Sequence, residues 1–131
     1  MALYSELPVY KAAYLLLLRI VGMSVSWQRD YRYTLGQELK QEILDLLMLI
    51  YRSNRVREKA SLLMQARESI EKIKIYIRLL RDLKQIGAEK YTSLIDETGS
   101  ISKQLSRWHA RYNENENENE NGNDNDDDNV N

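Results

Sequence analysis

Cations at helical spacing are the residues of this chain whose types and positions could do chemistry. Arg67, Lys74, Arg78 and Arg81 recur by sevens, fours and threes, steps that keep side chains on one side of a helix. Guanidinium and ammonium groups in such a row bind phosphates or carboxylates, Arg through two parallel donors. Only Glu71 interrupts the row. A second group, Arg52, Arg55, Arg57 and Lys59, crowds one short stretch. Arg52 and Arg55 suit the negative end of a helix, where a cation contributes about 0.3–1 kcal/mol. Arg57 and Lys59 fall at the start of the next helix, where cations are unfavourable, and an anionic ligand at this corner would account for them. A solvated face is the ordinary meaning of a charged stripe. The argument for binding is that the charge is not balanced locally.

Other chemistries lack their residues. His109 is the single histidine and there is no cysteine, so a His/Cys metal site and thiolate chemistry are excluded. Di-iron bundles carry a Glu three positions before a His, and position 106 is Ser. No glycine-rich phosphate loop or local Ser-His-Asp grouping is present. His109 is expected at the helix surface beside Trp108. The chain reads as non-enzymatic, with no metal and no cofactor.

The overall charge conceals a division. The 131 residues carry 19 Lys and Arg against 20 Asp and Glu. Eight of those acids lie in residues 113–131, a stretch without a base. The remaining 12 acids face all 19 bases, so residues 1–112 carry +7. A basic body with an acidic tail points to an anionic partner, nucleic acid foremost. The tail, NENENENENGNDNDDDNVN, is too polar to bury surface and is expected to be disordered; it solubilises the chain or competes for the basic surface. Absence of cysteine and of a secretory signal makes a cytoplasmic setting the expectation. The apolar run AAYLLLLRIVGM holds Arg19 and is too short to span a bilayer.

Four elements must position these groups. Pro8 suits a first helical turn, with Ser5 as a capping side chain; Val9, Ala13, Leu16 and Ile20 then mark a helix over about residues 7–26. Thr34 and Gln37 have the form of a capping box, although the helix could start a turn earlier, near Asp30. Leu35, Leu39, Ile43, Leu46, Leu47 and Ile50 continue that second helix to about Asn54. The third covers residues 57–86 on the seam Leu63, Ala66, Ile70, Ile73, Ile77 and Leu80, with Gly87 as its left-handed stop. Tyr91, Leu94, Thr98, Ile101, Leu105, Trp108 and Tyr112 mark the fourth. Four amphipathic helices with short links predict an all-α, antiparallel up-down-up-down four-helix bundle over residues 1–112, followed by the tail. Second apolar rows on the first three helices exceed what a monomer needs. Tyr31, Tyr33 and Trp108 could stack on unpaired bases, although such aromatics more often staple loops to a core.

Four stretches resemble one family. LPVYKAAYLLLL, RDYRYTLGQELKQEILDLLMLIYRSN, the basic third helix ending RLLRDLKQIG, and SKQLSRWHARYN look like the accessory variability determinant proteins of diversity-generating retroelements. The likeness covers about residues 7–112 and omits the acidic tail. It implies a homopentameric barrel of four-helix bundles that binds the element's reverse transcriptase and its RNA template, with cDNA as a further partner, and supports mutagenic cDNA synthesis. The family's basic third-helix positions fall on Lys74 and Arg78, and Arg111 matches another; Arg67 and Arg81 come from the stripe itself. The four-helix proteins encoded in 23S rRNA intervening sequences share the expected fold. That likeness frames an alternative, a structural oligomer whose basic surface docks an acidic protein.

Overall fold

Apolar seams at three- and four-residue steps generate the architecture. The computed structural model describes the backbone of residues 3–130 and the side chains of residues 3–120. A 3-10 turn, Tyr4–Glu6, leads into α1 (Pro8–Ser24), a single-turn α2 (Arg29–Arg32), α3 (Leu35–Arg55), α4 (Ala60–Asp82) and α5 (Ala88–Val130). No strand occurs among the described residues. The four long helices form a bundle in which α4 packs on α3 and α5, and α1 packs on the same two.

Each seam faces the common core. Val9, Ala13, Leu16 and Ile20 of α1 are buried, as are Leu39, Ile43, Leu46 and Ile50 of α3. All six seam residues of α4 are fully buried, together with Leu94, Thr98, Ile101 and Leu105 of α5. Removing one such Leu or Ile from water contributes roughly 1.5–3 kcal/mol. At one end of the bundle the Tyr4 ring packs edge-on against Tyr10 and against Tyr51, late in α3, with centroids 5.1 and 4.8 Å away. At the other end, Arg19 of α1 donates to Ser93 and Glu97 of α5. There too the Gln28 amide N–H donates to the Gln85 side chain at 2.8 Å.

Helix termini depart from the expectation in physically instructive ways. Thr34 makes no capping bond to the start of α3; its hydroxyl turns back to the Asp30 carbonyl at 2.5 Å. The preceding turn, α2, offers that acceptor, so the capping box does not form. Gly36 has a different role. A Cβ there would lie 3.2 Å from both the Trp27 ring and the Tyr31 carbonyl, so glycine lets Trp27 sit under the start of α3 at 2% exposure. The third predicted helix is shorter than 57–86 and stops at Asp82. Its left-handed residue is Lys84, φ 64°, and Gly87 has no positive φ. Gln85 N–H donates to Leu80 O and Lys84 N–H to Arg81 O, the bonding pattern of a Schellman cap.

Composition predicts disorder for residues 113–131, whereas the backbone of α5 continues as helix to Val130. Extending an existing helix requires no new nucleus. Beyond Tyr112 the side chains through Glu120 face solvent apart from half-buried Glu116, and none belongs to the core.

Candidate nucleic-acid interface

The basic stripe of α4 lies on one side of the helix, as its spacing predicts, but most of it is already engaged. Arg67 is half-buried and its guanidinium lies 3.1 Å from Nδ1 of His109 on α5. An arginine can only donate, so Nδ1 is the acceptor and the ring proton sits on Nε2. His109 is 7% exposed, which corrects the expectation of a surface histidine. The seam of α5 carries Leu105 and Trp108, and His109 enters the core edge beside them because Arg67 satisfies it. Arg67 is thereby a structural donor between α4 and α5.

Lys74 pairs with Glu71 one turn back, at 3.0 Å. Glu71 is therefore the partner of the row it interrupts. Arg81 pairs with Asp82 at 3.0 Å and lies 4.2 Å over the ring of Tyr91, held between an acid and an aromatic face. Arg78 alone among the four is exposed and free of an ion pair or hydrogen bond among the described residues. Exposed pairs of this kind contribute only about 0–1 kcal/mol, so Lys74 and Arg81 are damped as ligands rather than removed.

The corner between α3 and α4 divides in the same way. Lys59 donates to the carbonyls of Ser53 and Val56, and burial lowers its pKa from the ordinary lysine value. It closes the end of α3, a role the sequence reading assigned to Arg52 and Arg55. Arg55 donates to the Tyr51 hydroxyl and lies 5.4 Å from that ring's centroid. Arg57 is exposed, with no ion pair or hydrogen bond among the described residues. An anion is thus not needed to explain Lys59. Arg57 and Arg52, both exposed and without an ion pair or hydrogen bond among the described residues, are the open cations of the corner.

The structure also brings forward a row that the stripe obscured. Lys103, Arg107 and Arg111 are exposed on α5 and have no ion pair or hydrogen bond among the described residues. They stand four residues apart, about 6 Å per step along the helix axis. Arg111 is legible as a site residue from the family likeness, whereas Lys103 and Arg107 are marked in the sequence by four-residue spacing alone. Beside Arg107 and Arg111 lies a cavity of about 240 Å³, lined also by Gln104 and Trp108 of α5 and by Leu7, Pro8 and Val9 at the start of α1. Among the described residues, no carboxylate lines it. Of the other aromatic candidates, Tyr33 is 59% exposed with the Arg32 guanidinium 5.8 Å from its ring centroid, and Tyr31 is half-buried beside Gly36.

Among the described residues no group of three or more His, Cys, Asp or Glu is placed to hold a metal ion. No helix of the described residues is long and apolar enough to cross a membrane. Comparison with known proteins returns no matching family model, no matching curated protein and no matching solved structure.

Proposed function

We propose that this chain is a non-catalytic accessory protein of a diversity-generating retroelement, which binds the element's reverse transcriptase and template RNA through its basic surface and supports mutagenic cDNA synthesis in the cytoplasm. The observation that carries the reading is the set of exposed, unpartnered cations on two helices of a +7 body, Arg78 on α4 with Lys103, Arg107 and Arg111 on α5. Such groups neutralise phosphates and release counterions, which yields strong binding without sequence preference. The family likeness of the four stretches adds the polymerase and the RNA template as partners. It also adds the antiparallel order of the helices and their assembly as a homopentameric barrel. A row of exposed apolar side chains on α1, Tyr14, Leu15, Leu18 and Val21, continued by Val25 at its C-cap, supports assembly, since patches of this kind mark interaction surfaces. In a ring, weak phosphate contacts become multivalent.

A second reading has an observation of its own. Neutralisation of Lys74 by Glu71 and of Arg81 by Asp82, with Arg67 engaged by His109, leaves the α4 stripe weaker than its composition suggests, which favours a structural oligomer docking an acidic protein. Titration of template-type RNA with the full chain across salt, with particle mass recorded in the same samples, separates the two. The retroelement reading expects a pentamer-sized particle and a log–log salt slope that steepens by about 0.7–0.9 per phosphate contact. An oligomer that ignores RNA at low salt would overturn it in favour of the second.

A further inference from the structure

We infer that the cavity between α5 and the start of α1 is a nucleotide subsite, in which one unpaired base of a single-stranded nucleic acid stacks on Trp108 while Arg107 and Arg111 hold its flanking phosphates. The inference rests on the reading of the chain as a nucleic-acid binder and adds to it a site, a base and a mode of contact.

The cavity has the parts such a site needs. Its volume of about 240 Å³ is below the roughly 300–1,000 Å³ of pockets for drug-sized ligands and suits a single ring system. Trp108 is half-buried, packed on the core along one side and lining the open space with the other. Pro8 and Leu7 add apolar lining to the same cavity. A cavity lined by an indole and a proline ring offers apolar surface to a planar face, and every base has one. Gln104 at the edge carries both a donor and an acceptor for a base edge. Arg107 and Arg111 are exposed, lack internal partners among the described residues and share the rim with no carboxylate. Two guanidinium forks beside an aromatic slot match phosphates beside a base. An acidic peptide would satisfy the arginines and leave the slot unfilled, which is why nucleic acid is the occupant inferred.

The test uses the full chain and a short single-stranded oligoadenylate. Trp27 is almost fully buried, so quenching of tryptophan fluorescence on titration reports Trp108. Stacking predicts saturable quenching, its loss in Trp108→Phe with affinity nearly kept, and about 5- to 150-fold weaker binding in Trp108→Leu. Arg107→Gln with Arg111→Gln should lower the log–log salt slope by about 1.4, or 0.7 for each single-strand phosphate contact. Because Trp108→Phe keeps an aromatic ring against the core, the fluorescence test survives if Trp108→Leu fails to fold. Salt-sensitive binding without quenching, and unaltered in Trp108→Leu, would overturn the subsite and leave the broader reading standing. No binding of the oligonucleotide at low salt would overturn both. Equal quenching and competition by polyglutamate would overturn the nucleotide assignment, leaving a general anion site.

Discussion

Two rows of cations, one on α4 and one on α5, have similar composition and opposite circumstances. On α4, three of four are committed: Arg67 to His109, Lys74 to Glu71, and Arg81 to Asp82 and Tyr91. On α5, Lys103, Arg107 and Arg111 have no such commitments among the described residues. The difference comes from neighbours rather than from the cations themselves. The α4 row borders α5 on one side, and its acids Glu71 and Asp82 close onto Lys74 and Arg81. Glu114, one turn beyond Arg111, and Asp96, which lines a cavity with Lys103 and Arg107, form no ion pair with the α5 row among the described residues. A basic stripe is therefore a ligand surface only where the fold withholds partners.

Substitutions can break that contrast, the strongest effect coming from Arg67. Arg67→Ala leaves His109 buried without its donor and should destabilise the chain by about 1–3 kcal/mol, read as a lower midpoint in denaturant. RNA affinity of the folded fraction should hardly change; a loss comparable to that from Arg111→Gln would erase the distinction between the rows. Arg111→Gln should do the reverse, shifting stability by no more than about 0.5 kcal/mol while reducing the salt slope by about 0.7. Glu71→Gln sharpens the comparison by freeing Lys74. Breaking an exposed pair changes energies by about 0–1 kcal/mol, so RNA should bind up to about fivefold more tightly at low salt. Removal of residues 113–131 should leave the unfolding midpoint nearly unchanged, since no described side chain beyond Tyr112 joins the core. It should tighten RNA binding at low salt, and the gain should fade as screening shortens to a few ångströms near 1 M.

How far the sequence reveals such a molecule depends on the range of the interaction. The seam Leu63 to Leu80 was legible in full, because burial on a helix repeats every three or four residues and needs no knowledge of the partner. The end of α4 was less so. Gly87 is the residue type that favours a left-handed stop, yet the Schellman bonds close on Lys84, where the seam's last buried residue, Leu80, sets the register. The fate of Arg67 was not legible at all. Its partner lies 42 positions away, and only the relative placement of α4 and α5 brings the two together. Trp27 was missed for a related reason: it belongs to no helix, and its burial depends on the absence of a side chain at Gly36. For the interface, spacing sufficed to find rows of cations, whereas finding which were free required every neighbour.

The Arg19 contacts have a consequence for the order of folding. Ser93 and Glu97 are separated from Arg19 by 74 and 78 positions, while α3, α4 and α5 meet their successive neighbours across short turns. Contacts between near neighbours form fast, and those that close a long loop form late. The α3–α4 and α4–α5 pairs should therefore assemble early, and the closure of α1 onto α5 should come last to complete the bundle. Native-state hydrogen exchange would then show α1 amides opening at lower free energy than those of α4. In that partly opened species, the inner face of α1, Leu16 and Ile20, is exposed together with its outer row. The first helix thus becomes the element through which a crowded chain is most prone to exchange with its neighbour.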